Sequence, residues 1–470
     1  MFVKLTRLKI FVALTLFSFI ARAGDLSWSG LYRFEAISVL NSELDKDLNR
    51  NKDYGLHHLI LRPKIVASDG VYIYGRFDFL NNSVNDQLGQ VWGSPRSTGA
   101  TILESSNAFA QNNPADTVQV TNLYITLQHE FGQIIAGRVP FQFGLGITHN
   151  SGEGFFDHWY DSRDMVAYKM VFGSWHFTPM IAKLSEGALK NANADDVNEL
   201  NFLLEYDNPE SDMEMGILYQ IRKASKSAND TPVGNAYNIG GASSTIGDQV
   251  DANDFNIYLK RNMEDYYFGV EASFQTGKTG VKDVGDNTVK RKGYAVAFEF
   301  EYHPKVSPYH FGGYFGIASG DDANTTDDYE GFLFDRNYDV ATLLFNHPLG
   351  QADVFATQVN GGGGSSNIGS FDVEQINNII YLAPYFRHIL NDNWNWQAKL
   401  VTGTLQETVA GAGSNIGLEV DLSLSYKPHE RLEWTNEFAY FTAGDAFKYG
   451  ASNYKTDNAM AFISKVAIGF

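Results

Sequence analysis

One stretch of the sequence decides the fold: Ile416-Gly417-Leu418-Glu419-Val420-Asp421-Leu422-Ser423-Leu424-Ser425-Tyr426. Its large apolar residues fall on even positions, and its charged and hydroxyl residues fall on odd positions. Successive side chains of a β-strand point to opposite faces of the sheet, so this alternation is typical of a strand with one apolar and one polar face. The segment therefore predicts a strand that separates an apolar surface from a polar one.

The same alternation recurs along most of the chain. It is clear at residues 28–36, 71–79 and 293–302, and about eighteen such segments can be counted, mostly nine to fourteen residues long. A tilted strand needs about 9–11 residues to cross the hydrocarbon of a bilayer. Strands of soluble sheets are usually only about five or six residues long. The length of these segments therefore favours strands that cross a membrane.

The connections between these segments alternate between short and long. Short turns such as 68–70 and 391–393 are followed by long polar stretches such as 82–116, 140–163 and 320–374. Outer-membrane barrels have short periplasmic turns and long extracellular loops. The sequence therefore predicts an all-β, transmembrane, antiparallel up-and-down β-barrel of about eighteen strands, with sixteen as the alternative.

Both ends of the chain agree with export to the outer membrane. Residues 1–23 read as a signal peptide: bases at Lys4, Arg7 and Lys9 precede an apolar run, and Ala21-Arg22-Ala23 matches a cleavage site. The barrel is then expected to occupy residues 24–470. Its final strand is amphipathic and ends in Phe470. A terminal aromatic of this kind resembles the signal by which barrels are delivered to their insertion machinery, an expected partner.

Composition excludes several other classes. The chain has 36 basic and 55 acidic residues and a net charge of −19, whereas nucleic-acid binding requires a basic surface. It has no cysteine, so disulfides, thiolate metal sites and cysteine nucleophiles are excluded. No G-x-S-x-G motif or metal-ligand spacing of histidines is present. We therefore expect no enzymatic activity, no catalytic residue, no metal and no cofactor.

The polar face of each strand is expected to line the lumen, because a charge facing lipid costs about 2–4 kcal/mol at the bilayer midplane. The predicted pore-lining residues are Arg33, Glu35, Arg62, Lys64, Arg76, Asp78, Arg138, Lys169, Glu271, Glu299, Glu301, Glu419, Asp421, Glu433 and Glu437. The bases gather on the early strands and the acids on later ones. Two interpretations stay open: a transverse field across the lumen, or local pairing between neighbouring strands.

One loop is too apolar to be freely solvated. Residues 140–163 are predicted to fold inward as a constriction loop, with the alternative that the loop lies on the barrel rim. The residues assigned to this loop are Phe141, Phe143, Phe155, Phe156, Trp159 and Arg163.

The same region carries a family resemblance. The runs 136–146, 152–154 and 161–164 are similar to the G-R-x-P/Q…G-x-G…D-x-R-D pattern of Gram-negative outer-membrane porins. Within that class the mature chain resembles the eighteen-stranded alginate-export-like and porin-like barrels. The resemblance implies a strand that gives way to a loop folded over the pore, with Arg138 and Arg163 at the matching arginine positions. It implies architecture rather than a particular substrate.

The expected function is passive diffusion of ions and small hydrophilic solutes through a charge-lined pore. Two alternatives remain: a channel selective for a sugar or another specific ligand, and a loop-plugged barrel that organises lipids or oligomers. Outer-membrane lipids are the expected surroundings, a homo-oligomer is left open, and no nucleic-acid partner is expected.

Overall fold

The computed structural model describes residues 25–48, 50–79, 90–91, 118–185, 196–224, 247–282, 287–322, 324–325, 327–350, 354–355, 375–408, 412–448 and 456–470. The predicted signal peptide, residues 1–23, lies outside the described residues. So do most of the tracts 82–116, 185–195 and 224–250, which the sequence predicts to be long loops.

In the part of the chain that the structure describes, eighteen long strands and three short ones form a single sheet. The long strands are β1 (Leu26–Leu40), β2 (Lys52–Ser68), β3 (Val71–Phe79), β4 (Val118–His129), β5 (Gly132–Pro140), β6 (Ser162–Phe172), β7 (Trp175–Ser185), β8 (Val197–Asn208), β9 (Met213–Ala224), β10 (Gly247–Asn262), β11 (Tyr266–Lys282), β12 (Tyr294–Tyr302), β13 (Tyr309–Ala318), β14 (Ile379–Ile389), β15 (Trp394–Leu405), β16 (Asn415–His429), β17 (Leu432–Ala443) and β18 (Ala459–Gly469). The short strands are Gln90–Val91, Thr288–Arg291 and Asp328–Tyr329.

The long strands form a closed antiparallel barrel. Each one pairs with its neighbours in sequence, and β18 pairs back onto β1 from Leu40↔Met460 to Leu31↔Gly469. Beyond that ladder, Gly30 and Phe470 exchange two backbone hydrogen bonds of 3.0 and 3.1 Å. Closure leaves no unpaired sheet edge, as a strand structure in hydrocarbon requires. The predicted barrel of eighteen strands is thus confirmed.

Residues alternate between two environments along each strand. In β1 the odd residues from Leu31 to Val39 are buried, whereas Tyr32 and Leu40 are exposed on the other face. The outward face of the barrel is predominantly apolar, and the charged residues lie mainly on the inward face. The alternation that predicted the strands therefore also separates a lipid-compatible surface from a polar interior.

Two long connections fold into the barrel. We call residues 141–161, between β5 and β6, loop A, and residues 319–378, between β13 and β14, loop B. The one helical turn among the described residues is the 3-10 turn Asp445–Lys448. No helix in the described ranges is long and apolar enough to cross a membrane.

Candidate functional site

Loop A is attached to the inner wall at β11 by one carboxylate. Glu271 Oε2 accepts hydrogen bonds from the backbone amides of Leu145, Gly146 and Ile147, with distances of 2.6, 3.0 and 3.3 Å. Its other oxygen accepts a 2.8 Å hydrogen bond from the hydroxyl of Thr148. Consecutive amides that converge on one anion form a nest, which positive-φ residues such as Gly144 and Gly146 make possible. Glu271 therefore holds the tip of the loop.

The second half of loop A is attached to β1, β2 and β3. Arg76 Nη1 donates a 2.9 Å hydrogen bond to the carbonyl of Gly152. Arg62 forms a 2.7 Å salt bridge with Glu153. In a ring of eighteen strands, β1–β3 lie opposite β10–β12. Because its two halves are held at opposite walls, loop A crosses the lumen.

Glu35 extends this attachment along β1. Its Oε1 lies 2.8 Å from His158 Nε2, and Arg33 donates a hydrogen bond to the backbone carbonyl of Asp157. Both β1 side chains are almost completely buried. The last part of loop A is therefore held against the wall by buried polar groups.

The middle of loop A packs on β8, β9 and β10. The ring centroids of Phe143 and Tyr258 are 4.9 Å apart in an edge-on arrangement. His149 Nε2 lies 2.9 Å from Gln220 Oε1, and its Nδ1 lies 2.8 Å from Asp161 Oδ2. Aromatic packing and a buried hydrogen-bonded histidine thus hold the loop in one position.

Loop B is held by a second carboxylate in the same manner. Glu419 of β16 accepts hydrogen bonds from the backbone amides of Thr342, Leu343 and Leu344, with distances of 2.9, 2.6 and 2.7 Å. Apolar side chains then fill the space between this loop and strands β1 and β12–β18. The buried loop residues include Phe332, Phe334, Tyr338, Val340, Leu343, Leu344 and Phe345. Loop B therefore forms an apolar plug against part of the wall.

The two loops contact each other inside the barrel. The backbone amide of Asp335 donates a 2.8 Å hydrogen bond to the carbonyl of Ile147. Asn337 Oδ1 accepts hydrogen bonds from the amides of His158 and Trp159 at 3.1 and 2.9 Å. The loops thus form one joined body across the lumen.

Two of the cavities beside this body reach the inner wall of the barrel. One of about 160 Å³ is lined by both loops and by strands β1, β17 and β18, and its lining includes Phe156, Trp159, Asp339 and Lys465. Another, of about 430 Å³, lies along β2–β4, where Arg62, Lys64, Arg76, Tyr124, Gln142 and Glu153 are among the lining residues. Both cavities are bordered by residues predicted to line the pore.

The structure places nearly all predicted pore-lining residues on the inward parity of their strands. They are Arg33, Glu35, Arg62, Lys64, Arg76, Asp78, Lys169, Glu271, Glu299, Glu301, Glu419, Asp421, Glu433 and Glu437. Arg138 differs from the prediction. Strand register places it beside Leu123 and Asp164, on the outward face, and it binds Asp164 through two hydrogen bonds of 2.7 and 2.6 Å.

Many of the inward charges have a close partner of opposite sign. The pairs are Arg33–Glu35, Arg76–Asp78, Arg387–Glu301, Lys399–Asp421, Lys427–Glu433 and Lys465–Glu437, with distances from 2.8 to 3.5 Å. This arrangement supports local pairing over the alternative of an uncompensated transverse field. A difference between the two walls persists because Arg62, Lys64 and Arg76 all lie on β2 and β3.

The predicted members of the constriction loop occupy several positions. Phe141 and Phe143 are buried between loop A and the wall, whereas Phe155 and Phe156 pack near Leu31 on the opposite side. Trp159 stacks with Arg336 of loop B, whose guanidinium carbon is 4.3 Å from its ring centroid. These contacts lie within the barrel interior rather than on its rim.

Arg163 is the exception among them, because it belongs to β6 rather than to the loop. Its side chain still reaches loop A by stacking over Phe141, with 5.2 Å from the guanidinium carbon to the ring centroid. It also donates a 3.3 Å hydrogen bond to Glu199 on β8.

Burial changes the ionisation of carboxyl groups in the loops. Burial, together with the nearby charge of Asp161, raises the pKa of Asp335 to about 7. Burial also raises the pKa of Asp339. Burial acts to raise the pKa of Asp161 too, but the hydrogen bond with His149 and the charge of Arg163 outweigh it, so its pKa falls below the ordinary value. At the contact between the loops, Asp335 and Asp161 therefore lose their protons at different pH values.

No protein-family model and no curated protein matches the chain. Solved structures do match. Pseudomonas aeruginosa OccK9 (OpdG) superposes with a TM-score of 0.50 at 11% identity, covering 95% of this chain and 99% of that chain. A BenF-like porin from Pseudomonas fluorescens Pf-5 and Pseudomonas aeruginosa OpdQ each give a TM-score of 0.50 at 10% identity, covering 95% of this chain and 98% of theirs. The chain has the fold of the Gram-negative outer-membrane porins.

Proposed function

We propose that this protein is an outer-membrane channel through which ions and small hydrophilic solutes diffuse passively. The observation that carries the proposal is loop A, which crosses a closed, charge-lined barrel and is held at both walls by Glu271 and Arg76. Such a loop narrows the lumen and so restricts which solutes pass, and this requires no catalysed reaction. The porin fold supports the same function, and we infer no enzymatic activity.

The wall suits the passage of hydrated solutes. Inward charges bind water and hydrated ions, and fixed side chains in a narrow pore select solutes by size and charge. Loop B occupies part of the interior with apolar packing, so the path for solutes is expected to run beside the loops. The cavity along β2–β4 is the larger of the two described above, and it contains Arg62, Lys64 and Arg76.

A second candidate is a channel selective for a specific small ligand. The cavity of about 160 Å³ between the two loops and the wall favours it, because Phe156 and Trp159 offer ring faces while Glu35, Asp339 and Lys465 offer charges of both signs. Binding sites for small molecules combine apolar walls with a few oriented polar groups in this way. This candidate predicts saturable block of the ion current by the ligand.

Planar-bilayer recording of the purified full-length protein tests the proposal. We expect small ohmic current steps, and larger steps when residues 144–158 are replaced by a glycine-serine linker. Folding of that variant is checked by the heat-modifiable electrophoretic mobility typical of closed barrels. Saturable block by one solute would instead favour the selective channel. Silence of both folded proteins would contradict a channel function and favour the plugged structural barrel.

A further inference from the structure

A row of charged and polar residues crosses neighbouring strands on the outward face, at the end of the barrel that carries the long loops. We call it the rim row. Strand register aligns its members one beside the next, from β5 to the short strand Thr288–Arg291. They are Arg138, Asp164, Lys183, Asn198, Lys223, Asp251, Lys278 and Lys290.

The rim row marks an abrupt change in the outer wall. Val166 and Ile181 lie two residues from Asp164 and Lys183, further from the loops and on the same face of β6 and β7. Their side chains are 59% and 69% exposed. Leu200 and Ile221 continue this apolar level across β8 and β9. An apolar band that ends in a charged row is what the boundary between hydrocarbon and lipid head groups requires. The rim row therefore lies at head-group level.

Its charge is predominantly positive, although the chain as a whole carries −19. Arg138 is neutralised by Asp164, while Lys183 and Lys290 lie 3.0 and 3.8 Å from Asp196 and Asp327. These contacts account for three of the five bases in the row.

Lys223 and Lys278 differ from the other bases. Within the part of the chain that the structure describes, neither has a carboxylate at salt-bridge distance, although Asp251 lies beside both in the strand register. The unneutralised positive charge is therefore concentrated at the β9–β11 end of the row.

Lys278 and Lys290 stand directly opposite each other on antiparallel strands, and both are exposed. Directly opposed like charges destabilise a sheet, and an anion that contacts both would offset the repulsion. Adjacent strands are about 4.8 Å apart, a spacing at which two ammonium groups can contact one phosphate.

The opposite side of the barrel lacks this feature among its described residues. At the loop end of β14–β18 and β1, the outward residues are neutral: Ile380, Thr404, Leu418, Thr442, Met460 and Leu40. Solvation of a rim does not by itself explain why the outward lysines at the loop ends of the described strands lie on one side of the barrel. The asymmetry indicates a local anionic partner.

We propose that the rim row binds the phosphate groups of lipid head groups in the surrounding leaflet, through the unneutralised Lys223 and Lys278 and through Lys290, which stands opposite Lys278. The inference rests on the outer-membrane location of the proposed function, but it does not depend on whether the barrel conducts. Lysine ammonium groups at head-group level attract lipid phosphate, and the apolar band below them contacts the acyl chains.

Native mass spectrometry of the purified full-length barrel provides the test, with diphosphorylated lipid A and its phosphatase-treated form as probes. We expect the wild-type protein to retain the phosphorylated lipid preferentially. We expect Lys278→Ala/Lys290→Ala to lose on the order of tenfold in retention, because each base near the surface contributes to binding of anionic lipid. Lys278→Arg/Lys290→Arg should keep it.

The matched control is Lys305→Ala/Arg431→Ala, which removes two exposed bases at the short-turn end. Equal retention of both lipid forms would overturn the proposal, as would an equal loss in the control. Displacement of the lipid by millimolar inorganic phosphate would also overturn it, because the row would then be a site for free phosphate. Failure of the proposed channel function would appear in conductance and leave these results unchanged.

Discussion

Glu271 and Glu419 hold the two inward loops in the same way, although they lie on different walls of the barrel. Each carboxylate accepts hydrogen bonds from three consecutive backbone amides of a loop. Each is also completely buried, at 0% exposure. A buried carboxylate is costly unless its oxygens are hydrogen-bonded, so each glutamate and its loop depend on each other.

The substitution Glu271→Gln is expected to loosen loop A. The amide retains the shape of the side chain, but it removes the charge. It also replaces one of the two accepting oxygens by an NH2 group, which can only donate. Hydrogen bonds to a charged group contribute about 1.5–3 kcal/mol, so the docking of the loop should weaken by a similar amount. Hydrogen exchange of the amides of Leu145–Ile147 should accelerate by tenfold or more, on the order expected from that energy.

The matched control is Glu264→Gln, at an exposed carboxylate at the short-turn end of the barrel. We expect it to leave exchange in loop A unchanged. Unchanged exchange in Glu271→Gln would mean that the nest does not hold the loop.

The barrel itself is predictable from sequence, and the reason is local. Glu419 and Asp421 alternate with Leu418 and Val420, and that alternation defines a strand and its two faces without any knowledge of its neighbours. Closure then follows from the requirement that every backbone group be paired in hydrocarbon. What alternation alone does not show is what each inward charge contacts. For Glu419 the partner is the backbone of loop B, which is distant in sequence.

Substitution of Gly144 tests the same contact between Glu271 and loop A, this time by changing the loop. A β-carbon there would lie 2.7 Å from Glu271 Oε2 and 2.8 Å from Tyr258 Cβ, and its φ is +51°. We expect Gly144→Ala to displace the tip of the loop and to increase single-channel conductance. Gly173→Ala is the control, because it has φ of +62° but no neighbour within 4 Å. An equal effect in both variants would assign the result to backbone strain alone.

The sequence carries a signal for the inward position of loop B, but it carries none for the outward position of Arg138. Phe332, Phe334 and Phe345 are too apolar for a solvated loop, and the reasoning that indicated an inward loop A applies equally to them. For Arg138, the assumption that the polar face of its strand lines the lumen predicted an inward position, but the face of a residue depends on register. Arg138 pairs across strands with Leu123 and Asp164, both outward-facing. Register and bulges arise from pairing between strands, so the sequence of one strand does not reveal them.

The two loops are expected to be energetically coupled. Loop B donates from Asp335 to Ile147, one of the residues whose amide Glu271 binds. In a double-mutant cycle, Glu271→Gln and Glu419→Gln should therefore show an interaction energy above about 0.5 kcal/mol in loop exchange. The control cycle combines Glu271→Gln with Glu433→Gln, which lies on β17, next to the strand that carries Glu419. Strict additivity in the first cycle would indicate that the loops dock independently.

The contact between the loops should depend on pH through Asp335. Its pKa in the folded protein is about 7, against an ordinary value of 3.8, so the docked loop binds the proton more tightly than the undocked loop. The stabilisation is fully present below the ordinary pKa, and it is lost as the pH rises through about 7, where ionised Asp335 faces Asp161 and Asp157. Docking should thus be stronger at pH 5 than at pH 8, by more than about 1 kcal/mol.

Because a firmly docked loop narrows the lumen, single-channel current steps should be smaller and less noisy at pH 5 than at pH 8. Asp335→Asn should behave at both pH values like the protonated wild type, because the amide keeps the oxygen that accepts from the backbone of Asn337. Asp69→Asn, at the exposed turn between β2 and β3, controls for the loss of one carboxylate. A pH effect that persisted in Asp335→Asn would place the titrating group elsewhere in the lumen. The reverse dependence, with firmer docking at pH 8, would contradict the raised pKa itself, since a buried carboxyl group that prefers its proton cannot stabilise the loop by losing it.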